Sequence, residues 1–240
     1  MLTPRKNDLL AQLPEEDYQR LLPQLALRSL SQGDLLYDLG DRIDHVYFPV
    51  DSIISLRVEM RDGYVSEIAI VGKHGIAAIT ALAEGLSYHR AVVRSSGFAY
   101  RLPVQALREE YQRAAGLMRI LLVSGKHLMA QMSYAAVCTR RHNVDQQLIR
   151  WLLLNAYHAQ TLQFPATHED MAGMIGVRRE AVTLAVKRLV TQGLITSKRG
   201  QIEIVDRDAM QERACECYWA VSKLAPSVNE SLCLDFSRIA

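Results

Sequence analysis

The stretch from Ala166 to Val205, ATHEDMAGMIGVRREAVTLAVKRLVTQGLITSKRGQIEIV, constrains the fold more than any other part of the chain. It predicts a short helix, a tight turn, a second helix and a two-stranded hairpin. Thr167 is placed to cap the first helix, with Asp170 three residues on in capping-box register. Gly176 follows Ile175 where a helix must stop, and glycine supplies the left-handed backbone a tight turn needs. The second helix is predicted from about Arg178 to Thr191. Val182, Ala185, Val186 and Leu189 recur at helical spacing there and give one face to a core. Gly193 closes that helix.

The outer face of the second helix carries the chemistry. Arg179, Thr183 and Lys187 recur every fourth residue on one exposed side. Between residues 178 and 200, six basic side chains (Arg178, Arg179, Lys187, Arg188, Lys198 and Arg199) face Glu180 alone, in a chain whose formal net charge is only +2. Concentrated positive charge on a helix that begins at a tight turn suits the major groove. Side chains of its first turn reach base edges, and flanking Lys and Arg bind phosphate. A solvated basic helix in an ordinary helical hairpin would share the charge. It would not require the threonine cap, the glycine turn, the small Ala172 at the helix crossing and the hairpin together. The stretch is therefore a winged helix-turn-helix, with Thr167, His168, Arg178, Arg179, Glu180, Thr183, Lys187, Arg188, Lys198 and Arg199 as candidate DNA contacts.

The remainder must supply its own core, and 49% hydrophobic residues over 240 are ample for one or two domains. No apolar run approaches the roughly 18 residues of a membrane span. MLTPRKNDLLAQLPEED lacks the apolar segment of a signal peptide, so a cytoplasmic location without membrane partners is expected. Asn7 to Leu22 predicts one amphipathic helix burying Leu9, Leu10, Leu13, Leu21 and Leu22. Leu25–Leu30, His45–Val50, Ile53–Val58, Val65–Val71 and Ala91–Leu102 are rich in β-branched and aromatic residues and are separated by turn signals. They predict a small β roll, with a short helix within Gly75–Gly85. Pro103 suits the first turn of a new helix.

Gly116 to about Arg140 predicts one long helix with two apolar stripes. Leu117, Leu121, Ser124, Leu128, Gln131 and Ala135 form the first and are assigned to a dimer contact. Met118, Leu122, Gly125, Met129, Met132 and Ala136 form the second. Two stripes imply burial on two sides, one within the chain and one against a partner helix. Asn143–Gln160 predicts a further helix and Asp208–Ala220 a helical tail. The expected class is α+β: an N-terminal helix and jelly-roll-like β roll (residues 1–115), a dimerisation helix (116–142), a winged helix-turn-helix (143–207) and a tail (208–240).

This order of parts resembles the Crp/Fnr family of bacterial transcription regulators. GDLLYDLGD (Gly33–Asp41) followed by VYFPVDSIISL (Val46–Leu56) is similar to the family's paired-glycine strand pattern, and GVRREAVTLAVKRL to its recognition helix. The resemblance implies a homodimer on a palindromic DNA site, with RNA polymerase as a further partner. It places Arg179 on guanine and Glu180 on a cytosine amino group. Where the family frequently has a second arginine, this chain has Leu184. The resemblance also locates an effector pocket in the roll. Ala78-Ile79 stand where a ribose-binding Gly-Glu pair belongs, and His89-Arg90 lie near the phosphate position. With the ribose carboxylate absent, cAMP is not expected and no cofactor is predicted. Another small-molecule effector stays open.

The alternative is a sensory module, reading a cyclic nucleotide, haem or thiol chemistry, whose DNA binding depends strictly on its signal. Cysteine stands at 138, 215, 217 and 233 only, so the several thiolates of an iron–sulfur cluster are not assembled before Cys138. Cys215-x-Cys217 taken alone is read as packed thiols, and no metal site is expected. His74, His89 and His127 are read as structural or solvated rather than haem ligands. No Gly-x-Ser-x-Gly, phosphate loop, HExxH or Rossmann glycine fingerprint occurs, so an enzyme is not expected.

Overall fold

A computed structural model describes residues 2–83, 86–113 and 115–223. The described chain divides into two compact units, one holding residues up to 58 and 68–129, the other 59–67 and 130–223. The first unit opens with a 3-10 turn at Pro4–Lys6, then α1 (Asp8–Ala11) and α2 (Glu15–Leu21). The single amphipathic helix expected here is thus broken. Pro14, at the N-cap of α2, has no N–H to continue a helix. Asn7 is fully buried: its side-chain oxygen accepts from the N–H groups of Leu9 and Leu10, and its amide donates to the carbonyls of Pro49 and Gly75. Leu9, Leu10, Leu13 and Leu21 are buried as expected.

Seven strands follow: β1 (Ala26–Leu30), β2 (Leu35–Tyr37), β3 (His45–Pro49), β4 (Ile53–Glu59), β5 (Val65–Val71), β6 (Arg90–Ser95) and β7 (Gly97–Pro103). They form two sheets, in the orders β1-β7-β3 and β2-β6-β4-β5. Leu30 and Ala99 of one sheet share an apolar cluster with Val93 of the other, the core expected of a roll. The run Ala91–Leu102 is two strands in different sheets, because the chain turns at Ser96-Gly97. A Cβ on Gly97 would stand 2.6 to 2.9 Å from atoms of Asp51 and Ser52, so only glycine fits. Within Gly75–Gly85 the helix is a four-residue 3-10 turn, Ile79–Leu82. Pro103 ends β7 rather than starting a helix, and α3 (Val104–Arg113) follows directly.

α4 (Ala115–Arg141) is the long helix. Its two stripes differ in cover. Leu117, Leu121, Ser124, Leu128 and Gln131 are buried within the single chain and Ala135 is half-buried. Of the second, Met118, Leu122, Met129 and Ala136 are exposed, Leu122 and Met129 by 66% and 70%, while Gly125 and Met132 are half-buried. The stripe assigned to the dimer contact therefore already has its cover, and the face open to a partner is the other one. The physical reason is plain: both stripes are apolar, and periodicity cannot say which of them meets the chain's own core.

The second unit continues with α5 (Val144–Ala159), β8 (Gln163–Pro165), α6 (His168–Ile175), α7 (Arg179–Thr191), β9 (Ile195–Lys198), β10 (Gln201–Ile204), α8 (Arg207–Glu212) and α9 (Glu216–Ser222). Asn143 caps α5 in a reciprocal box with Gln146. β8, too short to show alternation, adds a third strand to the wing in the order β8-β10-β9. One core joins Leu148, Leu152, Met171, Val182, Ala185, Leu189, Ile202 and Met210. The tail is two short helices rather than one. Its expected extension beyond Lys223, including Cys233, lies outside the described residues. Among the described residues no helix is long and apolar enough to cross a membrane.

Candidate nucleic-acid interface and effector pocket

Local sequence builds the interface. The Thr167 hydroxyl oxygen accepts from the Asp170 N–H at 3.1 Å, and the Asp170 carboxylate accepts from the Thr167 N–H at 3.2 Å, the capping box read from sequence. Gly176 ends α6 at φ +73° with its N–H on the Ala172 carbonyl. Arg178 is the N-cap of α7 and Arg179 its first residue. Val182, Ala185, Val186 and Leu189 are buried, so α7 has its apolar stripe inward and Arg178, Arg179, Glu180, Thr183, Leu184, Lys187 and Arg188 outward. The β9–β10 turn is the two-residue Arg199-Gly200, at φ +49° and +76°. Positive φ at both positions matches the right-handed twist of the flanking strands and lifts Lys198 and Arg199 to the tip of the wing. The Ala166 N–H donates to the Gly200 carbonyl at 2.8 Å, which sets the wing beside the cap of α6.

Contacts sort the ten candidates. Arg178, Glu180, Lys187, Lys198 and Arg199 are exposed. Arg179 Nε lies 3.8 Å from Glu169 Oε2 with both side chains about two-thirds exposed or more, a pair too solvated to hold the guanidinium. Thr183 is used locally: its hydroxyl donates to the Arg179 carbonyl and lies 3.0 Å from Nδ1 of His168, so these two side chains brace α6 on α7. Arg188 is forked onto Asp145 of α5, with Nε donating to Oδ2 at 2.7 Å and Nη2 to Oδ1. That two-pronged pair raises the Arg188 pKa and uses two of its five N–H donors within the unit. Arg188 thus braces α7 on α5. Asp145 stands 43 residues away in the chain, so no spacing could have shown the pairing.

In the roll, polar groups face one another. Arg90 at the start of β6 donates from Nε to Asp38 Oδ1 at 2.9 Å and from Nη2 to Oδ2 at 2.7 Å. The guanidinium holds the Asp38 carboxyl below the usual carboxylate range. His89 Nε2 lies 3.1 Å from the Tyr37 hydroxyl, and burial lowers the His89 pKa while raising that of Tyr37. Ala78 is buried in left-handed backbone at φ +69°, and Ile79 starts the 3-10 turn that follows. Neither supplies a side-chain acceptor for a ribose hydroxyl. Ile79 instead lines an apolar concavity of about 640 Å³ with Leu82, Tyr111, Leu121, Leu122 and Met129.

A third constellation was only half visible in the sequence. Cys138 and His142, one helical turn apart at the end of α4, stand with Cys215 and Cys217 at the start of α9, their ligating atoms all within 4.8 Å of one another. An i, i+4 Cys/His pair was the signal to join to Cys-x-Cys.

The described parts are a strand-rich roll, a long helix and a winged helix-turn-helix whose second helix has a basic outward face. Comparison narrows the class: a family model for the Crp-like helix-turn-helix domain matches residues 146–213. No curated protein sequence matches the chain. Among solved structures it is similar to a putative Crp/Fnr-family transcriptional regulator from Eubacterium rectale, with 14% identity, a TM-score of 0.68, and 87% of this chain and 98% of that one covered. The c-di-GMP-responsive global regulator CLP of Xanthomonas campestris has 15% identity, a TM-score of 0.66, and coverage of 80% and 100%. A CRP/FNR-family regulator of Thermus thermophilus has 20% identity, a TM-score of 0.65, and coverage of 79% and 98%. At these identities the likeness establishes the fold. Residues 146–213 thus match the Crp-like helix-turn-helix domain, and the chain shares the fold of these structures.

Proposed function

We propose that the chain is a homodimeric, non-enzymatic transcription regulator that reads a two-fold symmetric DNA site and does not use cAMP as its effector. The observation that carries the DNA reading is the outward row of α7. Arg179 and Glu180 stand exposed in its first turn, flanked by Arg178, Lys187 and the wing residues Lys198 and Arg199. Bidentate arginine suits guanine O6 and N7, glutamate suits a cytosine amino group, and the flanking cations suit phosphates. Leu184, 57% exposed one turn on, suits the methyl group of thymine in place of a second arginine. Self-association is supported by the uncovered Met118, Leu122 and Met129 of α4, an apolar row of coiled-coil character on an otherwise solvated face.

The effector reading rests on Arg90. Its fork is filled by Asp38, and a cyclic phosphate would have to displace a carboxylate already in bidentate register. The experiment is selection of bound fragments from random duplex DNA by purified protein without added ligand. A palindromic site with half-sites about 34 Å apart is expected. Enrichment that appears only with cAMP would overturn the effector reading. No enriched site under any condition would overturn the reader assignment.

A further inference from the structure

Cys138, His142, Cys215 and Cys217 lie within one unit and close on a single point. Cys138 Sγ is 3.8 Å from Cys215 Sγ, and Cys217 Sγ is 3.7 Å from His142 Nδ1. The three thiols are 3% exposed or less. A tetrahedral zinc ion with Zn–S near 2.3 Å and Zn–N near 2.0 Å sets its sulfurs about 3.8 Å apart and its sulfur and nitrogen about 3.5 Å apart. The observed edges already have that size, and the widest, at 4.8 Å, closes with side-chain adjustment of about 1 Å. The other ring nitrogen, His142 Nε2, is 3.2 Å from the Glu216 carboxylate. That outer carboxylate fixes the tautomer with Nδ1 free to ligate, as partners of zinc-bound histidines do.

We propose that these four residues bind one zinc ion in a Cys3His site. Packed thiols alone would account for burial, but not for an imidazole nitrogen turned onto the sulfurs with a carboxylate behind it. Ligand atoms this close leave room for one ion and none for the several iron and sulfide atoms of a cluster. Cys215 stands at the N-cap of α9. The thiols lose their protons as zinc binds. The ligands come in pairs on either side of residues 143–214, so the ion would fasten the winged helix at both its chain ends. This site stands on geometry independent of the DNA reading.

The test uses the full chain purified without chelator. Elemental analysis should find about one zinc per chain, and cobalt replacing it should give thiolate charge-transfer bands and the visible absorption of a tetrahedral centre. Replacing the three cysteines with serine should abolish binding, and Cys233→Ser should not change it. Should the triple variant fail to fold, Glu216→Gln serves instead. It leaves every ligand in place and should weaken the metal by about 10–100-fold in competition with a chromophoric chelator. No zinc after reconstitution, an iron–sulfur chromophore, a Cys138–Cys215 disulfide in metal-free protein under reducing conditions, or Glu216→Gln binding as tightly as the wild type would each overturn the proposal.

Discussion

The helix-turn-helix unit and the roll both carry arginines at positions where their resemblance implies a nucleotide ligand, yet only one unit leaves its arginine available. Arg179 projects into solvent beside a carboxylate 3.8 Å away, whereas Arg90 is clasped at two points by Asp38. The difference lies in partners, because the residue type is the same. Within the reader itself the same contrast separates Lys198, exposed at the wing tip, from Arg188, forked onto Asp145. A cation contributes to recognition in proportion to what it has left to donate.

The largest expected effect is on the buried side of the reader. Leu189 is 1% exposed, and Leu189→Ala should cost about 2–5 kcal/mol of stability, measured by denaturant unfolding. Such a loss would remove DNA binding together with the fold. Next, Arg179→Ala should leave unfolding unchanged while costing about 1–3 kcal/mol at one base pair, read as relaxed preference there in competition assays. An equal loss on every sequence would reduce Arg179 to a phosphate contact and blur the contrast with the wing.

The comparison between free and committed cations is sharper still in salt titrations. Lys198→Ala should lower the slope of log affinity against log salt by about one. Arg188→Ala should leave that slope nearly unchanged, since its charge is already matched by Asp145. Equal changes for the two would show that the Asp145 fork opens on DNA.

The smallest effect tests the roll. A carboxyl whose pKa is lowered by folding adds stability above its unfolded pKa, and that stability is lost as pH falls through the lowered value. For Asp38, held down by Arg90, the contribution is present at neutral pH and disappears below the carboxylate range. Asp38→Asn should therefore lower the denaturation midpoint slightly at neutral pH and flatten its fall in acid. Identical acid profiles for variant and wild type would mean that the fork adds nothing to the fold.

Local chemistry was legible in the sequence wherever the cause is local. The Thr167–Asp170 box, the left-handed Gly176 and Gly193 and the inward stripe of α7 involve atoms within one or two turns of each other. Strand β5 runs over Val65–Val71 as expected because its composition and flanking turns specify it. The sequence also determined which residue types were available: no carboxylate at Ala78-Ile79, and cysteines only from Cys138 onward. Tertiary structure alone decided which stripe of α4 is covered and which charges cancel, as at Arg188–Asp145 and Arg90–Asp38. It also joined Cys138 and His142 to Cys215 and Cys217 across some seventy intervening residues. Hydrogen-bond and ligand geometry depends on separation in space, and folding makes that nearly independent of separation along the chain.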